Sequence, residues 1–470
     1  MAGIKSCGAY IPLWRLSRDT VSAAWGSRSL GGERSVANWD EDSLTMATEA
    51  AYNCINGLDR QCIGSVYFAS TTAPYKEKQC AAVIASALDL SNEVFSVDFS
   101  SSLRAGTNAL RSALEAARGG SAGDILIVAS DARLGTPRTT DEQTFGDGAA
   151  AVLVGNSGVA VEVEDMYSVS ADIADVWRKQ SDTFVQSWED RWVMTQGYTQ
   201  HMKTAISGIM KKQGLSPKDV TKVILYSPDA KSHLDIARAL GFDPKEQVQD
   251  TLISQAGNLG AAHTLAMLVA ALQKAKPGDR LLVASYGDGS DAFILKVTEN
   301  SKRLGATRGV EAHLESKRTL STYEKYLAFR GLVAQPEEFI RDFPSASVMW
   351  RTRSWASSLH GSRCRQCGMV TFPIQRVCYG CQTRDEFEEV LLSDKMGKVF
   401  TYSLDNMAGS MDPPIVQTIV ELDDSTRLYC LMTDCDPKSV EIGMPVEMTY
   451  RKFHEHGGFH NYYWKCRPTR

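Results

Sequence analysis

The chain has 470 residues, 43% hydrophobic and 23% charged, which suits two or three domains with a sizeable core. Its net charge of −5, with no basic tail, argues against nucleic acid as the main partner. No uninterrupted apolar run of about 18 residues predicts a membrane span. The opening MAGIKSCGAYIP lacks the charged-then-apolar order of a secretion signal. Of eleven cysteines, four cluster at 364–381 and seven are scattered through apolar segments. That distribution predicts reduced thiols in a cytoplasmic protein.

Residues 1–298 alternate strand-like and helix-like segments, the pattern of an α/β domain. GSVYFAS (64–70) precedes a helical stretch. VFSVDFSSSLRAGTNAL (94–110) is a β-branched run that stops at Ser100, Ser101 and Ser102 and enters an Ala-rich helix ending near Arg118. This strand-to-helix turn has the layout of a nucleophile elbow, with the helix N-terminus placed to stabilise negative charge. DILIVAS (124–130), an extra loop at 131–144, and the glycine turn FGDGAAAVLVG (145–155) follow. The order then recurs as KVILYSP (222–228), VQDTLIS (248–254) entering a second apolar helix, RLLVAS (280–285) and YGDGSDAFILKV (286–297). Matched order and a doubled GDG turn predict an internal duplication.

Five segments carry a family resemblance: GAYIPLWRL (8–16), WDEDSLTMATEAA (39–51), GNLGAA (257–262), SYGDGSDAF (285–293) and YEKYLAFRG (323–331). Over about residues 3–335 the chain resembles the 3-hydroxy-3-methylglutaryl-CoA synthase family of the thiolase superfamily. The resemblance implies a thiolase-type duplicated five-layer α/β/α/β/α domain, a coenzyme A thioester substrate, and a homodimer joined through the strand beside the elbow. It also implies a catalytic cysteine, histidine and glutamate. The family's C-x-A-G-T pattern puts the cysteine position on Leu103, its H-x-P puts the histidine on Tyr226, and the glutamate position falls on Thr71. A leucine cannot form a thioester, and a tyrosine stays neutral near pH 7.

What remains of the resemblance is Asn258 and the glycine-rich turn at 286–291, with Lys231 matching a position that could contact a CoA phosphate. Tyr226 and Asn258 together could stabilise a thioester enolate without an acyl-enzyme. Ser102, with His263 as the nearest candidate base, is a weaker substitute nucleophile. The plainer expectation is that the three serines cap the helix, that His263 packs on a helix face, and that Cys80 lies in the core.

Beyond 298 a charged helical stretch leads to Cys364-x2-Cys367-x10-Cys378-x2-Cys381. Two CxxC turns of this spacing predict a tetrahedral four-thiolate site, zinc first and rubredoxin-like iron second. With four protein ligands the metal is structural. Five short strand-like segments follow, and a zinc ribbon followed by an OB-type barrel is expected. Residues 351–470 hold equal numbers of acidic and basic side chains, which disfavours a nucleic-acid groove. His454, His456 and His460 flank Gly457-Gly458 and are expected to form a solvated hairpin; Tyr462, Tyr463 and Trp464 are expected in the core or an interface. The ribbon-and-barrel pair is similar to the acyl-CoA-associated OB domain that accompanies thiolases, usually as a separate polypeptide. The predicted domains are 1–165 and 166–345 (two thiolase-like halves, the second with its helical linker), 346–390 (ribbon) and 391–470 (barrel).

Three functions fit these expectations. In the first, the chain is one component of a thiolase-type acyltransferase acting on acyl-CoA carbon–carbon bonds, and a separate thiolase subunit supplies the cysteine. In the second, it is itself a cysteine-free acyl-CoA lyase that uses Tyr226 and Asn258. The third, a nucleic-acid-binding module, conflicts with the charge balance.

Overall fold

Nine strands make the central sheet: β1 (Gly3–Tyr10), β2 (Ile63–Ala69), β3 (Phe95–Phe99), β4 (Asp124–Asp131), β5 (Gly148–Gly155), β6 (Val161–Ser170), β7 (Lys222–Leu225), β8 (Arg280–Tyr286) and β9 (Gly289–Val297). In this computed structural model, which describes residues 2–121, 123–179, 181–305, 307–334 and 345–470, the order is β7-β8-β9-β6-β1-β5-β4-β2-β3. The inner strands β1, β4, β5, β8 and β9 are almost wholly buried, so their sequences are near-continuous apolar runs. The chain divides into two units, Met1–Ala37 with Asp42–Tyr326, and Asn38–Glu41 with Leu327–Arg470.

The duplication is visible in the first unit. In one half β2 runs parallel to β4, and in the other β7 runs parallel to β8. The halves join where β1 meets β6 through only two residue pairs, Gly3 with Glu162 and Ile4 with Val161. Two apolar helices, Ala105–Arg118 and His263–Leu272, pack in the core with the sheet. Leu265 and Leu268 are fully buried there, each contributing roughly 2 kcal/mol. The helices approach closely at Gly106, where a Cβ would lie 2.5 Å from the Ala261 carbonyl oxygen. This is the thiolase-type α/β fold.

One expected strand is missing. VQDTLIS (248–254) makes a single bridge, Val223 with Val248, and then leaves the sheet. The Asp250 carboxylate accepts from Leu252 N at 2.7 Å, and Leu252 has φ of 61°. The side-chain bond and the left-handed residue turn the chain before pairing can extend. The second half therefore has four strands where a strict repeat would have five.

In the second unit, a helix (Ala346–Ser357) precedes a small sheet of His360–Cys364, Val370–Thr371 and Phe387–Leu391. Five strands then close into a barrel: Met396–Asp405, Ile415–Leu422, Arg427–Met432, Pro445–His456 and Phe459–Pro468.

Deep in this unit is a cluster of charges. The Arg451 guanidinium is fully buried and pairs with Asp40 (3.2 Å), Glu41 (2.8 Å) and Asp434 (2.6 Å). Lys465 Nζ donates to Asp40 at 2.8 Å and lies 4.5 Å from the centre of the Trp39 ring. The turn 38–41, far away in sequence, thus supplies two of the three carboxylates around Arg451.

Candidate functional site

The elbow is held by bonds around its apex. Beyond β3 the backbone reverses through Ser101, whose φ is 69°, and Leu103 stands half-buried before the helix begins at Ala105. The three serines do not cap the helix as expected: Arg104 holds the N-cap position without a side-chain cap bond, and Ser102 Oγ accepts from Arg104 N at 3.3 Å within the turn before it. Arg104 does not fill the cleft. Its guanidinium turns to the glycine turn, donating to the Gly287 carbonyl and, at 2.8 Å, to the Asp288 carbonyl, and it pairs with Asp291 at 3.0 Å. Asp291 also accepts from Thr107 and Ser168, each at 2.7 Å. Gly287 is required at this contact. A Cβ there would lie 3.0 Å from the Leu103 Cβ and 3.1 Å from Arg104 N, and φ is +151°.

Two clefts meet at the apex. One, of about 620 Å3, is lined by Leu103, Arg133, Asp141, Tyr226, Asn258 and Tyr286 among others. The other, of about 750 Å3, runs past Ser102, Leu103, Arg133 and Asp175 to Lys76, Arg178 and Lys179. No cysteine lines either cleft among the described residues.

Tyr226 and Asn258 are joined in the first cleft. Asn258 Nδ2 donates to Tyr226 Oη at 3.0 Å, and its Oδ1 accepts from Arg133 Nη2 and Gly260 N, both at 3.0 Å. The Tyr226 hydroxyl is therefore an acceptor toward Asn258 and keeps its own proton to donate. Burial raises its pKa, so it stays protonated through the physiological range. Tyr198 donates to the Tyr226 carbonyl at 2.8 Å and fixes that strand end. The Tyr286 ring packs edge-on against Tyr198 at 5.4 Å, and its hydroxyl faces Asp175. Burial pushes the Asp175 carboxyl above the usual carboxylate range, and the Tyr286 hydroxyl acts in the opposite sense.

Of the other sequence candidates, His263 packs edge-on against the Tyr226 ring at 5.7 Å, and none is hydrogen-bonded to the pair. Ser102 Oγ reaches the Gly287 carbonyl at 3.4 Å, and no hydrogen bond joins it to His263. His263 is fully buried, accepts from Leu259 N at 3.2 Å, and has its pKa lowered to about 3 by burial and then by Arg133. A neutral, enclosed ring of this kind is a packed core histidine. Lys231 lines neither cleft; it precedes the helix Ser232–Ala239, and its backbone N donates to Asp229 at 2.7 Å. Cys80 is buried, and burial raises its thiol to about 12, far from a reactive thiolate.

In the second unit, Cys364, Cys367, Cys378 and Cys381 bring their sulfurs within 4.8 Å of one another. Cys364 Sγ is 3.6 Å from Cys381 Sγ, and Cys367 Sγ is 3.4 Å from Cys378 Sγ. Tetrahedral zinc with bonds of about 2.3 Å needs sulfur edges near ~3.8 Å, so the four thiols fit such an ion with small adjustments.

Two family models match parts of the chain: the C-terminal domain of 3-oxoacyl-[acyl-carrier-protein] synthase III over residues 210–296, and the C-terminal OB-fold domain of ChsH2 over residues 389–451. Hydroxymethylglutaryl-CoA synthase from Methanopyrus kandleri is 33% identical over 337 residues, covering 69% of this chain and 95% of the relative. The chain belongs to the hydroxymethylglutaryl-CoA synthase family. The Aeropyrum pernix member is 35% identical over 310 residues, 63% of this chain and 85% of the relative. A crystal structure of HMG-CoA synthase complexed with CoA shares the fold, with a TM-score of 0.65 and 20% identity over 73% of this chain and 95% of that one.

Within this family frame, three residues in the clefts escaped sequence reading: Arg133, Asp175 and Tyr286. Arg133 sits in the extra loop 131–144, which has no counterpart in the second repeat, and Asp175 follows β6. An insertion in only one half of a duplicated unit, just after a strand, is the signal that points to Arg133. Tyr286 is the second residue of the quoted SYGDG motif, where the glycines drew attention and the ring did not.

Proposed function

We propose that this chain is an acyl-CoA carbon–carbon lyase working without a cysteine. The observation that carries the reading is the open cleft between Leu103, Tyr226 and Asn258, which no cysteine lines among the described residues. Leu103, Tyr226 and Thr71 at the family's cysteine, histidine and glutamate positions support a route with no acyl-enzyme.

The reaction is a retro-aldol cleavage of a 3-hydroxyacyl-CoA. A carboxylate removes the proton of the 3-hydroxyl, and Asp175, with its raised pKa, suits that task. The C2–C3 bond breaks, C3 becomes a carbonyl, and the bonding pair moves to C2 as a thioester enolate. Tyr226, held by Asn258, donates to the enolate oxygen. A proton returned to C2 leaves the shorter acyl-CoA. Lys76, Arg178 and Lys179 along the larger cleft suit the phosphates of CoA, and Lys231 remains an outlying candidate for the same role.

Tyr226→Phe should lower kcat/KM by roughly tenfold or more on a 3-hydroxyacyl-CoA series. An unchanged rate, or an acyl adduct on the chain by mass spectrometry, sinks the reading. The ChsH2-type OB fold favours a second reading, a subunit that acts only when a separate thiolase is added. Turnover by the purified chain alone excludes it.

Zinc in the four-cysteine site supports the ribbon structurally. A homodimer is supported by β3, which ends the sheet and leaves Phe95 60% exposed; light scattering measures the mass.

A further inference from the structure

At the clefts of the first unit, Arg133 is a buried charge without a counter-ion among the described residues. The residue is 3% exposed, yet its guanidinium has no ion-pair partner among the described residues. Nη2 donates to Asn258 at 3.0 Å, the plane stacks on Phe145 at 4.1 Å, and Nε has no hydrogen-bond partner.

The adjacent carboxylate does not serve it. Asp131 is saturated by Ser70 Oγ (3.0 Å), Thr71 N (2.7 Å), Thr71 Oγ1 (2.9 Å), Thr72 Oγ1 (2.9 Å) and Ala261 N (2.7 Å). Asp141 and Asp175 feel the Arg133 charge from across the cleft, but burial outweighs it and raises both carboxyls. A buried guanidinium is costly unless an anion compensates it, and its planar fork suits two oxygens on one centre. Arg133 lines both clefts where they meet at Leu103, beside Tyr226 and Asn258.

We propose that Arg133 is an anion receptor for an oxyanion carried on the acyl end of the CoA thioester. The proposal rests on the reading of these clefts as a thioester site. Two sources share the chemistry: the enolate oxygen formed during cleavage, and a free carboxylate on the acyl chain. With an anion in place the guanidinium has its missing partner, and the Asn258–Tyr226 pair beside it completes the oxygen's shell.

Binding, not turnover, tests this. Calorimetry on the full chain compares S-carboxymethyl-CoA, whose carboxylate imitates the enolate, with neutral S-ethyl-CoA. It also compares malonyl-CoA with butyryl-CoA. The wild type should prefer the anionic member of at least one pair by about tenfold or more, as expected of a charge-assisted contact. Arg133→Met should erase that preference while ligands common to both proteins still bind, and Arg133→Lys should retain part of it. Preference for S-carboxymethyl-CoA alone assigns the enolate, and preference for malonyl-CoA alone assigns an acyl carboxylate.

Equal binding within both pairs by the wild type overturns the proposal and leaves the lyase reading standing. So does a preference that survives in Arg133→Met. Should that variant fail to fold, Arg133→Gln takes its place: an anion preference that survives without the charge overturns the receptor. Failure of all four ligands to bind overturns the thioester reading itself, and the receptor with it.

Discussion

His263 ties stability to pH. Its ring is enclosed, and burial lowers its pKa to about 3 from an ordinary 6.5. The unfolded chain takes up a proton near 6.5, whereas the folded chain refuses it until about 3. Unfolding therefore gains protons across that window, and stability falls as pH drops from about 6.5 toward 3, by a few kcal/mol in total. Urea melts at pH 7 and pH 4.5 should show the loss, and His263→Leu should flatten it. A wild-type slope no steeper than the variant's contradicts the enclosed ring. Leu103 makes a complementary point about reading residues. The sequence places it at the elbow apex, but whether the space beside it is filled depends on where Arg104 goes. Arg104 is drawn off by Asp291, 187 residues away, which no local pattern encodes.

Among elements, the strands and buried helices of the first unit were legible because their periodicity is local. Apolar runs, glycine turns and a repeated order survive in any single sequence. The segment 248–254 was misread because its apolar residues match a strand, while one side-chain bond from Asp250 and one left-handed residue at Leu252 end the pairing. Arg133, Asp175 and Tyr286 were missed for a related reason: each matters through partners brought near only by folding. The ribbon is the opposite case, since CxxC spacing alone brings two sulfurs together on each turn. Metal analysis should return one zinc per chain. Chelation should unfold 360–391, seen as new proteolytic cleavage there, with CoA-ester binding by the first unit kept. Full resistance to both chelator and protease would argue against a metal-dependent ribbon.

At the scale of the whole molecule, the turn 38–41 makes the second unit discontinuous in sequence. Arg451→Met should cost about 3–5 kcal/mol, because Glu41 and Asp434 then remain buried without this cation and Asp40 keeps only Lys465. Burial alone would raise the Asp434 carboxyl; Arg451 outweighs it and holds the group below the usual range. That contribution is complete above the ordinary carboxylate pKa and is lost as pH falls through the lowered value. The variant should therefore recover part of its deficit in acid, where protonation neutralises the carboxylates. Denaturant melts of wild type and variant at pH 7 and pH 4 measure both effects; a deficit that grows in acid would contradict this account.

The same turn has a consequence for how the chain is made. Asp40 and Arg451 lie 411 residues apart. At about 5–20 residues per second, roughly 20–80 s separate their emergence from the ribosome. During that interval the acidic turn waits for a barrel that does not yet exist. Carboxylates wait in water without penalty. An apolar turn packing equally well in the finished barrel would spend the same time exposed, inviting association with other nascent chains. An ionic seam that adds little to final stability can therefore be the safer design when one side is synthesised long before the other.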